Sequence, residues 1–360
     1  MRSLLDGKHT LGEVPGIIPK FAGAAKPMVS SVPLNWETGW LIGATVGDGW
    51  VVYDSRRPTC VGFASGKQAE DVRVFWEQAI QKLAPDSKVS NRELPHEFEG
   101  TQCVSLRSNV YCSSLATWFS LYIGEKAAGK HLPSEFLRMP VEFRMGLFSG
   151  LVDTDGTCNW NVNNRFTLSI TTISERLCGD ICVLALSLGL IPSVTTYTHN
   201  DKPAYCIVFS VRTVQDATWL RLVCSYKREA LERLWNEDKK DNGPSDIVPL
   251  PELAKKEIIT LCRQMGATRS VNKNKAAASV YVVASRSVGY MTRTSVERLV
   301  GLLNEHSVSI SAYLEKWLKL VSYTSVGWDF IESSAATGEY KTMYDITVPG
   351  PLNFAMADVS

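Results

Sequence analysis

The sequence predicts an α+β protein in which an αββαββα unit is repeated once and followed by a helical and β-containing extension, and three observations point to it. Stretches with apolar residues at helical spacing alternate with short runs of period two. The order helix, two strands, helix, two strands, helix occurs twice. Both copies open with a glycine-containing helix that ends in an Asp-Gly step.

Residues 1–35 are rich in Gly, Pro and Lys without sustained periodicity and read as an irregular leader. The first copy, residues 36–139, begins with an apolar helix over 36–46 that runs into Gly47-Asp48-Gly49. Strands follow at 50–53 and 59–64, a helix at 68–83, strands at 88–98 and 103–111, and a helix through 115–126. The second copy, residues 140–240, repeats this: helix 141–152 into Asp153-Thr154-Asp155-Gly156, strands 157–160 and 165–172, helix 175–188, strands 193–197 and 205–211, then helices between 214 and 234. A period of roughly 100 residues is too long for a solenoid, so the copies should pack as pseudo-symmetric halves of a two-sheet saddle. Beyond the charged junction at 237–244, residues 241–320 form a helical extension, with helices at 251–265, 295–304 and 312–321. Residues 321–360 form a β-rich tail, with strands at 328–332 and 340–348.

Apolar residues make up 45% of the 360 and charged residues 21%, which excludes a disordered or fibrous chain and leaves room for two or three cores. With 38 basic against 37 acidic residues the totals announce no nucleic-acid partner; a DNA surface would require the charges to be sorted in space. Nine cysteines with no CxxC pair read as reduced, mostly buried thiols, Cys178 and Cys182 being core residues one helical turn apart. No secretory signal and no membrane-length apolar run is present, so a soluble, cytoplasmic chain with no membrane partner is expected.

The chemistry concentrates at the two helix ends, Leu41-Ile42-Gly43-Ala44-Thr45-Val46-Gly47-Asp48-Gly49 and Leu147-Phe148-Ser149-Gly150-Leu151-Val152-Asp153-Thr154-Asp155-Gly156. Gly43 and Gly47 lie four apart on one helical face, as do Gly146 and Gly150, so two such helices can approach backbone to backbone. Asp48 and Asp155 would then meet at the base of the pair. A lone GDG or DTDG is commonly just a turn, but two at matching places in a duplicated unit resemble the signature of the LAGLIDADG homing endonucleases, in their two-motif, monomeric, intein-derived form.

That resemblance implies a Mg²⁺-dependent enzyme, with Mn²⁺ able to substitute, that cuts both strands of a long, pseudo-palindromic DNA site. Close carboxylates repel unless a cation neutralises them, and hard oxygen ligands favour Mg²⁺. Asp48 and Asp155 are the implied metal ligands and catalytic acids, with Gly47 and Thr154 beside them in the metal set. A lysine from each half lines the site in such enzymes, and Lys130 and Lys227 occupy the corresponding places. Lys130 stands in a Gly129-Lys130-His131-Leu132-Pro133 block that resembles the intein type; Lys227 reads equally as a solvated charge beside Arg228 and Arg233. Candidate DNA contacts are Arg56, Arg57, Lys67, Lys88, Arg92, Arg107, Arg165, His199 and Lys202, each of which could be a plain solvated charge. Asn159, Asn161, Asn163 and Asn164 could read bases or simply turn a hairpin.

At the carboxyl end, Trp328-Asp329-Phe330-Ile331 and Met343-Tyr344-Asp345-Ile346-Thr347-Val348-Pro349-Gly350-Pro351-Leu352-Asn353-Phe354 resemble the region where an intein's endonuclease returns to its splicing domain. Leu352 stands where that pattern has His, the chain stops at Ser360 before a terminal His-Asn, and no Cys or Ser nucleophile with a TxxH partner stands at the amino end. Splicing is therefore lost, divided with a partner peptide as in a split intein, or cut away. A catalytically inactive nucleic-acid-binding relative and the C-terminal part of a split or degenerate intein are the alternatives to an active nuclease.

Overall fold

The computed structural model describes residues 13–15, 28–98, 101–124, 126–199, 202–237, 247–267, 274–287 and 289–322. The strands expected at 328–332 and 340–348 lie outside these. The chain divides into two compact units, 1–241 and 242–360.

Among the described residues, the first unit opens with two short strands, β1 (Glu13–Pro15) and β2 (Ser31–Pro33), paired antiparallel. Six residues of the stretch expected as an irregular leader are therefore paired strand. Met28, Val32 and Leu34 are buried in the core and Val29 N–H donates to the Leu83 carbonyl, so three apolar side chains and one backbone bond dock a stretch too short to show periodicity.

The helix α1 (Trp36–Asp48) is capped by Asn35, whose side chain accepts from Thr38 N–H at 3.0 Å. A hairpin of β3 (Gly49–Asp54) and β4 (Arg57–Gly66) follows, then a short 3₁₀ turn and α2 (Glu70–Leu83). Val72, Trp76, Ala79, Ile80 and Leu83 recur along the buried side of α2, and Trp76 stacks on Phe63 of β4 at 5.0 Å between ring centroids. Strands β5 (Lys88–Phe98) and β6 (Thr101–Tyr111) complete an antiparallel sheet in the order β3-β4-β6-β5. Helix α3 (Ser113–Tyr122) ends short of the expected residue 126, because Gly124 turns the chain at φ +72°, and one helical turn, α4 (Lys126–Gly129), follows.

The second copy runs α5 (Val141–Asp155), β7 (Gly156–Trp160), β8 (Phe166–Thr172), α6 (Glu175–Ser187), β9 (Pro192–His199) and β10 (Lys202–Phe209). Its antiparallel sheet has the order β7-β8-β10-β9, matching the first position for position. The helices expected between 214 and 234 are α7 (Val211–Asp216) and α8 (Ser225–Asn236). One continuous core, including Trp40, Leu147, Phe148 and Leu151, joins the copies. All nine cysteines are free thiols.

The second unit packs α9 (Glu252–Gln264), α10 (Lys275–Arg286), α11 (Arg293–His306) and α12 (Ala312–Val321) around its own core, with the short pair β11 (Ile247–Pro249) and β12 (Tyr290–Thr292). Sequence reading passed over α10 because its valines at 280, 282 and 283 weaken helical propensity. Asn274 caps it, and Ala277, Val280 and Ala284 place its buried stripe at helical spacing. Among the described residues, no helix is long and apolar enough to cross a membrane.

Candidate active site

Helices α1 and α5 run side by side in the same direction, because Gly39, Gly43, Gly146 and Gly150 each face the backbone of the other helix. A Cβ added to Gly39 or Gly43 would overlap the Phe143 or Leu147 carbonyl, and one on Gly146 or Gly150 the Trp36 or Trp40 carbonyl. The sequence offset that separates Asp48 from Asp155 also carries Gly39 onto Gly146 and Gly43 onto Gly150, so the contact has a pseudo-two-fold axis. Gly39, missed in sequence, could have been found one turn before Gly43 on the same face. At the bottom of the pair Gly47 abuts the Thr154 side chain, and the Asp155 carboxyl carbon would lie 3.5 Å from a Cβ on Gly47.

Asp48 and Asp155 are thus the last residues of two touching helices, each half-buried. Burial first, and the charge of Asp155 second, raise the Asp48 carboxyl to about 6, against the opposing pull of Lys130 and Lys227. Burial likewise raises Asp155, offset by the same two lysines. Both ammonium groups are held below the usual lysine value by burial, and the Asp48 charge opposes this in both. The structure therefore brings all four sequence-chosen groups within one electrostatic neighbourhood.

Each lysine caps the motif helix of its own half. Lys130 Nζ donates to the Gly47 carbonyl. Lys227, only 4% exposed, donates to the carbonyls of Val152 at 2.9 Å, Asp153 at 2.8 Å and Thr154 at 3.3 Å. Cations at a helix C-terminus satisfy orphan carbonyls and complement the helix dipole. The reading of Lys227 as a solvated charge does not fit this burial. The backbones carrying the lysines are anchored crosswise: Ser174, the N-cap of α6, donates to the Lys130 carbonyl at 2.7 Å and Asp180 of α6 accepts from Leu132 N–H at 2.9 Å, while Asp71 of α2 accepts from Ser225 N–H at the start of α8 at 2.7 Å.

Sequence reading also missed Asp153, which is 2% exposed. It accepts from Trp40 Nε1 at 2.7 Å, Val223 N–H at 2.9 Å and Cys224 N–H at 3.0 Å, tying α1 to the segment that leads into α8. Burial still raises its carboxyl to about 6. An acid inside an otherwise apolar helical stretch was the available signal.

Among the described residues, no three His, Cys, Asp or Glu side chains converge as in a closed metal site. Two carboxylates beside backbone carbonyls are a hard, open donor set, which fits Mg²⁺ or Mn²⁺ completed by phosphate and water and does not fit structural zinc. The Gly47 and Thr154 carbonyls already accept from lysine, and each keeps a second lone pair.

The proposed DNA contacts scatter more widely. Arg56 and Arg57 are exposed at the β3–β4 turn, Lys67 in the 3₁₀ turn, and Lys88, Arg92 and Arg107 on β5 and β6. Arg165 precedes β8, Lys202 opens β10, and His199 closes β9, its side chain lying outside the described set. Asn161 Oδ1 accepts from Asn163 and Arg165 N–H, so this asparagine is engaged in shaping its turn, and Asn164 binds Arg233.

This combination of a duplicated α+β core and paired acid-ended helices defines a LAGLIDADG-like fold: residues 142–232 match the LAGLIDADG-like domain. The chain is 26% identical over 204 residues to the ATP-dependent DNA helicase Hel308 of Thermococcus kodakarensis, covering 54% of this chain and 17% of that protein. It is 26% identical over 193 residues to the iron–sulfur cluster assembly SufBD family protein ML0593 of Mycobacterium leprae, covering 52% and 20%. The chain thus spans about a fifth of the length of these relatives. Among solved structures, the homing endonuclease I-DmoI in complex with DNA and Mn superposes with a TM-score of 0.38 at 12% identity, over 52% of this chain and 97% of that one.

Proposed function

We propose that this chain is a site-specific homing endonuclease that acts as a monomer and makes Mg²⁺-dependent double-strand breaks, with Mn²⁺ able to substitute, in a long, pseudo-palindromic DNA site. The observation that carries this is the placement of Asp48 and Asp155 at the joined ends of α1 and α5, flanked by two partly desolvated lysines. A nucleic-acid binder gains nothing from holding two carboxylates against phosphates; a hydrolase does.

Asp48 and Asp155, with the Gly47 and Thr154 carbonyls, would hold the cation. When bound, it supplies Lewis acidity toward the scissile phosphates and lowers the pKa of a coordinated water. The chain's own residues do the positioning. The glycine crossing fixes the distance between the carboxylates, and Lys130 and Lys227 keep both helix ends from fraying while offering positive charge where negative charge develops on phosphate. Duplex DNA would lie across the two sheets, on the faces turned away from the helices.

The relatives support an intein-type origin. Each match is a minor part of its relative, a helicase in one case and a cluster-assembly protein in the other, whose names share no activity. An inserted, mobile element has that distribution.

The test is a cleavage selection over random duplex DNA with Mg²⁺, run beside Asp48→Asn and Asp155→Asn proteins. The parent should cut, and either variant should lose double-strand cutting by about 10³-fold or more while keeping most binding. Undiminished cutting by either variant overturns the site assignment. A parent that binds tightly and never cuts identifies an inactive relative.

A further inference from the structure

The two sheets have the same topology but unlike open faces, and this difference deepens the nuclease reading on which it rests. In the first sheet, Leu106, Ser108 and Val110 of β6 are buried against the helices, so their neighbours Ser105, Arg107 and Asn109 point the other way. Register then places Lys88, Ser90 and Arg92 of β5 on that same open face, with Arg92 directly opposite Arg107. Both arginines are exposed, and among the described residues neither makes an ion pair; Arg107 lies 5.8 Å over the Trp50 ring. Glu93, next to Arg92 in sequence, sits opposite buried Leu106 on the other face.

In the second sheet, Leu168 and Ile170 of β8 and Ile207 of β10 are buried, which sends Thr167 and Thr171 to the open face, with Ser169, itself buried, between them. Thr157 and Asn159 of β7 and Thr195 of β9 join them by register. Among the described residues the strands on this face carry one cation, Lys202, at the outer end, and exposed Arg165 stands just before β8 at the hairpin end.

We infer that the halves divide recognition unequally: the first sheet is an arginine clamp that supplies the electrostatic grip and a guanine preference on its half-site, and the second reads its half-site through hydroxyl and methyl contacts. Like charges directly opposite on paired strands destabilise a sheet, so the Arg92–Arg107 pair costs the free protein stability and is relieved by a polyanion. Arginine pairs with guanine edges in the major groove and binds phosphate in a salt-dependent way, whereas threonine hydroxyls and methyls contribute without releasing counterions.

The experiment measures binding of the full chain to random-sequence duplex across a salt series, followed by sequencing of the bound pool, for the parent, Arg92→Gln, Arg107→Gln and Thr171→Val/Thr195→Val. Each arginine variant should flatten the slope of log affinity against log salt by about 0.9, lose guanine preference in one half-site only, and melt slightly higher than the parent. The threonine variant should keep the parent's slope and lose preference in the other half. Unchanged slopes in the arginine variants, or an equal loss of slope from the threonine variant, overturn the division while leaving the nuclease reading intact. A parent that binds no duplex overturns both.

Discussion

The ends of α1 and α5 perform one task with different amounts of structure beneath them. At the first, Asp48 follows Gly47, whose carbonyl takes one bond from Lys130. At the second, Lys227 is buried and spans three carbonyls, and Asp153 draws in Trp40 and the Val223 and Cys224 amides. The offset relating the halves carries Asp153 onto Val46, which is fully buried and apolar, so the inner acid has no twin. What the halves share is what the helix crossing and the paired carboxylates require. What they do not share is support, and most of it lies in the second half, whose Asp153 fixes α1 through Trp40 and whose Ser174 fixes the backbone of Lys130, while the first half returns one bond, Asp71 accepting from Ser225 N–H.

The sharpest way to break this comparison is to impose symmetry. Val46→Asp buries a carboxylate with no donors prepared for it and should cost about 3–5 kcal/mol, read by urea unfolding. A mild effect would mean that the Asp153 donors are not what makes a buried acid tolerable there. Asp153→Ala comes next: three donors lose their acceptor, an expected loss of about 3 kcal/mol. Cutting should fall with it, since the segment leading into Lys227 is released. The smallest contrast is between the lysines. Lys227→Met should destabilise by about 2 kcal/mol and Lys130→Met by less than about 1 kcal/mol, while both lower cutting. Equal stability losses in the two would erase the distinction between a supported and an open half.

Much of this architecture was legible in the sequence for a physical reason. Backbone contact between helices admits only glycine, so Gly43, Gly146 and Gly150 mark the crossing in any sequence that makes it. The hairpins and α2 announced themselves through clean periods, and β5 begins and ends where period two predicts. Asp153 and the burial of Lys227 were hidden because polar residues on a helix read as solvent-facing until tertiary structure supplies their partners. The pairing of β1 with β2 was hidden because three residues carry too little periodicity to read. The unlike open faces were latent in the strands, yet register alone decides which alternate residue faces out.

The central claim is that Asp48 and Asp155 form one shared cation site at the base of the helix pair. Mn²⁺ titrated into the full chain with duplex DNA, followed by electron paramagnetic resonance and corrected for duplex alone, tests it most directly. Asp48→Asn and Asp155→Asn should each abolish the same protein-dependent Mn²⁺ binding. Retention of the parent's binding by either variant would contradict it.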